Sequence, residues 1–146
     1  MERTNFEKLR VYQLSEDLAD SSWVIATKWD AFNRDMLGKQ VVKSADSVGA
    51  NIAEGVGRYG TQDNQRFGYF ARGSLNETKH WLRRAFKRNL LSPEEIEKLR
   101  PVMDELAPKL NAYIRSIKDV KRSTPTTNDE RRTTNNEQPA TNNENA

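Results

Sequence analysis

Lys79, Arg83, Arg84, Lys87 and Arg88 form the densest basic cluster in this sequence. Cations spaced three and four apart lie one above another on a helix, where they can meet successive phosphates of a nucleic acid. Such contacts are independent of sequence and weaken with salt. The plainer alternative is a solvated helix face, strengthened where Lys and Arg approach the negative end of the helix dipole.

A second set consists of short hydrogen-bonding groups. Gln40, Ser44, Ser47, Asn51, Glu54 and Arg58 recur at the same spacings, with Arg72 and Glu77 further along the chain. They could form a ligand site, or a seam against which a partner helix or another subunit packs closely. Polar groups buried between helices normally satisfy each other or nearby backbone. The seam is therefore expected, with Asn51 and Glu54 meeting Arg72 or Glu77.

Other chemistries find little support. Gly55-Val56-Gly57-Arg58-Tyr59-Gly60 matches G-x-G-x-x-G, but that motif holds a pyrophosphate only between a strand and the helix it opens. Here a helical pattern precedes it, so a helix end and turn are expected. His80 is the one histidine, and it falls on a polar face. Ser44, Ser47 and Ser74 lack a base and an orienting carboxylate at recognisable spacing. No cysteine is present, which excludes disulfides, zinc-thiolate sites and thiol catalysis. Asn76-Glu77-Thr78 fits a glycosylation sequon by chance, in the middle of a helix. No catalytic residue, metal site or cofactor is expected.

The elements that position these residues follow from hydrophobic periodicity. Phe6 can anchor the N-terminus. Val11, Leu14, Leu18, Ser22, Ile25 and Trp29 then mark an amphipathic helix, its stripe widened by Tyr12, Ala19, Trp23 and Ala26. Asp30–Asp35 reads as a connection with Asn33 or Asp35 as the next N-cap. A second helix, about Asp35 to Gly57, aligns Leu37, Val41, Ala45, Val48, Ile52 and Val56. Its polar file lies about a right angle away on the helical wheel, and Lys39, Lys43, Asp46 and Ala50 form the outer face.

A third helix starts after Thr61 or Asp63 as N-cap. It places Phe67, Phe70, Ala71, Leu75, Thr78, Trp81, Leu82, Ala85 and Phe86 on one broad face, with Asn89 suited to a left-handed terminus. Ser92-Pro93-Glu94-Glu95 is a capping box with proline at the first helical position. The fourth helix carries a seam of Ile96, Leu99, Met103, Leu106, Leu110, Tyr113, Ile117 and Val120. The seam keeps its phase through Pro101 and Pro108, so kinks rather than a break are expected. No segment alternates as a strand would.

These elements predict an all-α domain over residues 1–121 and a polar tail over 122–146. The tail lacks aromatic and large aliphatic residues, so it cannot offset an ordering cost of roughly 1–2 kcal/mol per residue. It is expected to be disordered. Thr127-Asn128-Asp129-Glu130, Thr134-Asn135-Asn136-Glu137 and Thr141-Asn142-Asn143-Glu144 repeat within it every seven residues, without an apolar position. Formal net charge is +3; the tail contributes −1 from three Arg against four acidic residues, leaving +4 on the domain. A mildly basic domain is compatible with nucleic acid. Neither a signal peptide nor an apolar run of spanning length is apparent, so a cytoplasmic protein with no membrane partner is expected.

Ser44-Ala-Asp-Ser-Val-Gly-Ala-Asn-Ile-Ala-Glu-Gly-Val-Gly-Arg58, followed by Phe70-Ala-Arg-Gly-Ser-Leu-Asn-Glu77, resembles the "four helix bundle protein" family. Its members are also called 23S rRNA-intervening-sequence proteins, because some are encoded within insertions in bacterial large-subunit ribosomal RNA genes. The opening Phe6-Glu-Lys-Leu-Arg-Val-Tyr-Gln13 is similar as well, and the likeness covers about residues 5–121.

The resemblance implies an antiparallel up-down-up-down four-helix bundle that associates into a ring, typically a homopentamer. A related group serves diversity-generating retroelements as basic pentameric barrels that bind nucleic acid and a reverse transcriptase. No catalytic residue of the family is established, and none is carried over. The expected function is a non-enzymatic oligomer that binds RNA or DNA through Lys79, Arg83, Arg84, Lys87 and Arg88. The alternative is a protein-interaction scaffold, a partner of a reverse transcriptase or a ribosomal component, assembled through the second and third helices.

Overall fold

The computed structural model describes residues 5–123, with side chains described as far as residue 117. Among the described residues there is no strand. Phe6–Lys8 forms a 3-10 turn ahead of α1 (Arg10–Thr27). The Phe6 ring meets Tyr12 edge-on at 5.0 Å, anchoring the N-terminal turn as expected. Helix α1 buries Val11, Leu14, Leu18, Ser22 and Ile25, so its stripe faces the core. Trp23 does not widen that stripe; it is 59% exposed.

The connection after α1 is shorter than the sequence suggests. Ala31–Asn33 is already helical, and a π turn, Arg34–Gly38, carries the chain into α2 (Lys39–Val56). Asp30, rather than Asn33 or Asp35, is the N-cap. Its carboxylate accepts the Asn33 backbone N–H at 3.0 Å and the Asn33 side-chain amide at 2.8 Å. These bonds hold the Asp30 carboxyl below the usual carboxylate range, the backbone N–H being the larger cause.

Helix α3 (Thr61–Lys87) begins after Gly60, which caps it without a side-chain bond. Thr61 is therefore the first helical residue and not a cap. Asn89 is left-handed, with φ 57°. Around it the Leu90 N–H donates to the Ala85 carbonyl at 2.9 Å and the Asn89 N–H to the Phe86 carbonyl at 3.1 Å. That pair of bonds is a Schellman termination, and it returns the chain toward the core at Leu90.

The capping box then opens α4 (Pro93–Ser123). The Ser92 N–H donates to Glu95 at 2.9 Å and the Glu95 N–H to the Ser92 hydroxyl at 3.2 Å. Pro101 and Pro108 lie within one unbroken helix, both at exposed positions. The helix runs two residues past the boundary expected at Lys121; the tail from residue 124, with its repeat, lies outside the described residues.

Each helix packs on its neighbours in chain order, and α4 closes against α1. The contacts also fix direction. Gly38 of the π turn adjoins Ala26 near the end of α1, whereas Gly49 adjoins Ser15, so the two segments are antiparallel. Ser44 meets Thr78 and Asn51 meets Ser74, so α2 and α3 are antiparallel. The Trp29 indole N–H donates to the Leu90 carbonyl at 2.9 Å, placing the ends of α1 and α3 together. Arg10 at the start of α1 makes a two-pronged pair with Glu105 of α4, both bonds 3.0 Å. The result is an antiparallel up-down-up-down four-helix bundle.

The core runs the length of the bundle, from Leu14, Leu18 and Leu37 to Val48, Leu75, Leu106 and Leu110. Burying each such side chain contributes about 1.5–3 kcal/mol. Phe70 and Phe86, expected on the buried face of α3, are instead 49% and 50% exposed. The apolar arc of α3 is wider than the two helices packed against it can cover.

Candidate nucleic-acid interface

The buried edge of α3 is Ala71, Leu75, Thr78, Leu82 and Ala85. Side chains rotated away from that edge reach solvent. Arg72, Asn76, Lys79, Arg83 and Lys87 are spaced by three and four and fall within roughly 80° of arc, at about 100° per residue. From Arg72 to Lys87 this stripe extends about 22 Å along the helix. Arg72, Arg83 and Lys87 are exposed and Lys79 is half-buried. None of these four cations has an ion-pair partner among the described residues. The Arg72 guanidinium lies over the Tyr69 ring at 4.9 Å, a contact that steadies it while leaving its charge available.

The stripe redraws the cluster read from the sequence. Lys79, Arg83 and Lys87 share it. Arg84 is half-buried on a different side of the helix, and Arg88 is the C-cap. Arg84 and Lys87 occupy the last turn, where a cation stabilises the helix by about 0.3–1 kcal/mol. Arg72 is the member that sequence reasoning assigned elsewhere. Its spacing to Lys79, Arg83 and Lys87 was the available signal.

The polar file of α2 divides by depth. Gln40 and Glu54 are exposed, Ser47 and Asn51 are half-buried, and Ser44 is buried. Asn51 reaches Ser74 at 3.4 Å, not Arg72 or Glu77. Glu54 pairs with Arg58 of the next turn at 2.9 Å. Glu77 accepts the Trp81 indole N–H at 3.2 Å. The seam instead centres on a residue that sequence periodicity placed with the apolar face. The Thr78 hydroxyl, fully buried, points to the Ser74 carbonyl at 2.8 Å and the Ser44 hydroxyl at 3.0 Å.

The remaining polar groups are occupied in the same local way. Ser44 donates to the Val41 carbonyl at 3.1 Å and Ser47 to the Lys43 carbonyl at 2.7 Å. His80 is exposed and packs edge-on against Trp81 at 4.7 Å. The G-x-G-x-x-G segment ends α2 and starts α3. The N–H groups of Gly57 and Arg58 donate to the Ala53 and Gly55 carbonyls, so they close the helix end rather than face a phosphate. Among the described residues no His, Cys, Asp or Glu cluster suits a metal ion. No helix of the described residues is long and apolar enough to cross a membrane.

Residues 7–112, which take in α1, α2, α3 and most of α4, match the family described as 23S rRNA-intervening sequence protein. The chain belongs to that family. A solved structure of a 23S rRNA-intervening sequence protein relative supports the fold: a Bacteroides thetaiotaomicron protein with unknown function, from the S23 ribosomal protein family. It superposes with a TM-score of 0.65 at 23% identity, over 72% of this chain and 95% of that one. No curated protein matches the chain. The match to the 23S rRNA-intervening sequence proteins points to no catalytic family, and it stops short of the repeat-bearing tail.

Proposed function

We propose that this protein is a non-enzymatic cytoplasmic oligomer that binds RNA or DNA along the exposed face of α3. The observation that carries this reading is the file of Arg72, Lys79, Arg83 and Lys87, four cations without ion-pair partners among the described residues. Elsewhere on the surface basic residues are paired within a turn, as in Asp35–Lys39, Glu54–Arg58 and Asp63–Arg66. Unpaired cations along one helix favour a polyanion, and Arg84 and Arg88 add to the field beside them. Gel-shift of labelled ribosomal RNA and single-stranded DNA tests this directly. Retardation at low salt that is lost at raised salt is expected; absence of binding at low salt would overturn the proposal.

The oligomer is a heterologous ring, a pentamer by family resemblance. What supports it is a pair of unlike apolar surfaces. Trp23, Phe32 and Met36 are 59%, 72% and 63% exposed around α1 and the start of α2, beside a groove of about 650 Å³. On α3, Phe70 is half-exposed and Gly73 presents a flat surface. Two different patches on one chain generate a closed ring rather than a two-fold dimer. The same surfaces are what a scaffold would use for a protein partner without nucleic acid, and the gel-shift result separates the two readings.

A further inference from the structure

One edge of the basic stripe borders a groove of about 370 Å³ between the C-terminal part of α3 and the N-terminal part of α4. Its floor is apolar: Leu82, Leu91, Ile96, Leu99 and Met103, with the half-exposed Phe86 ring at one wall. Lys79, Arg83 and Arg100 stand at its rim with a single acid, Asp104. Lys79 and Arg83 are without ion-pair partners, and Arg100 has only a long contact to Glu97 at 3.9 Å.

We propose that this groove seats an unstacked base of a single-stranded nucleic acid whose phosphates lie on Lys79, Arg83 and Lys87. The proposal rests on the nucleic-acid reading above and narrows it to single strands. Charge complementarity selects the occupant, because the rim is net positive and continuous with the stripe while the floor offers only apolar surface. A duplex can place phosphates on the stripe, but its stacked bases cannot enter the groove. A single strand can do both: aromatic stacking and a basic track are the two parts of sequence-tolerant single-strand binding. No hydrogen-bonding group lines the floor, so the groove accepts any base and discriminates by strandedness alone.

The test uses the full chain, a labelled single strand of roughly 16 nucleotides, and the same strand annealed to its complement, compared by fluorescence anisotropy at low salt. The single strand is expected to bind about tenfold more tightly than the duplex. Phe86→Ala should remove that preference while duplex affinity stays unchanged. Phe86→Tyr, which keeps the ring, should retain it, so loss in the alanine variant alone reports stacking. A fluorescent adenine analogue in the strand should be quenched by the wild-type protein and less so by Phe86→Ala. Equal affinity for strand and duplex, or a preference that survives Phe86→Ala, overturns the groove assignment and leaves the stripe standing. Failure to bind either form overturns the underlying nucleic-acid reading instead. A change in oligomer mass in Phe86→Ala with strand preference intact would assign the groove to a second copy of the chain and overturn the inference.

Discussion

The hydroxyls of Thr78 and Ser44 lie 3.0 Å apart, both buried, at the centre of the α2–α3 seam. Thr78 divides its proton between Ser44 and the Ser74 carbonyl, and Ser44 passes its own to Val41. Thr78→Val keeps the shape but leaves the Ser44 oxygen without its cross-helix donor. Chemical denaturation should show a loss of about 1–3 kcal/mol. Adding Ser44→Ala should recover part of that loss, because an apolar pair leaves nothing unsatisfied. A double variant as unstable as the sum of the singles would show that the two hydroxyls are not coupled.

Gly55 is where α2 and α3 come closest. A Cβ added there would stand 2.7 Å from the Asn64 Oδ1 and 2.9 Å from the Phe67 Cβ, with the Asn64 carbonyl at 3.2 Å. Alanine normally favours a helix over glycine by about 1 kcal/mol. Here the overpacking, about 1–3 kcal/mol, should outweigh it. Gly55→Ala is therefore expected to lower the thermal midpoint, and a raised midpoint would contradict the close approach.

Much of this fold is legible because its signals are local. Ser92 and Glu95 lie three residues apart and find each other whatever the rest of the chain does. The stripe of α2 needs only helical phase. The failures come where the deciding atom lies elsewhere. Asn33 and Asp35 are as good cap residues as Asp30, and the π turn between them and α2 shifts the helical phase. Phe70 and Phe86 belong to an apolar arc whose pattern cannot say how much of it a neighbour covers. Asn51 could reach several residues of α3, and only the α2–α3 register selects Ser74. For the candidate site, Lys79, Arg83 and Lys87 stood out by density. Arg72 joined them only when the seam proved to be filled by Thr78 and Ser74.

Acid should weaken the bundle at identifiable points. The Arg10 guanidinium, chiefly through its hydrogen bonds, holds the Glu105 carboxyl below the ordinary carboxylate range, and the Asn33 N–H does the same for Asp30. A carboxyl depressed in the folded state stabilises above its unfolded pKa. That contribution is lost as pH falls through the folded value. Urea midpoints should thus decline from about pH 5 downward. Glu105→Gln should start lower at neutral pH and decline less steeply. Parallel curves for the two proteins would contradict a native role for the Arg10–Glu105 pair.

Light scattering addresses the proposed ring. Wild-type protein is expected as an oligomer at micromolar concentration, and Gly73→Leu should reduce its mass. Nothing lies within 4 Å of a Cβ added at Gly73, so the leucine meets no obstacle in its own chain. Unchanged circular dichroism beside a reduced mass would place Gly73 at an interface. A wild-type monomer would leave the apolar surfaces to another partner.

The salt dependence of nucleic-acid affinity bears most directly on the stripe of α3. Binding constants for a labelled single strand, measured across a salt series, should fall linearly on a log–log scale. Neutralising Arg72, Lys79, Arg83 and Lys87 to glutamine should weaken binding at every salt concentration. The slope should shrink by about 3–4, close to one per lost phosphate contact. A wild-type protein that does not bind at low salt, or a quadruple variant with the wild-type affinity and slope, would contradict nucleic-acid binding by this face.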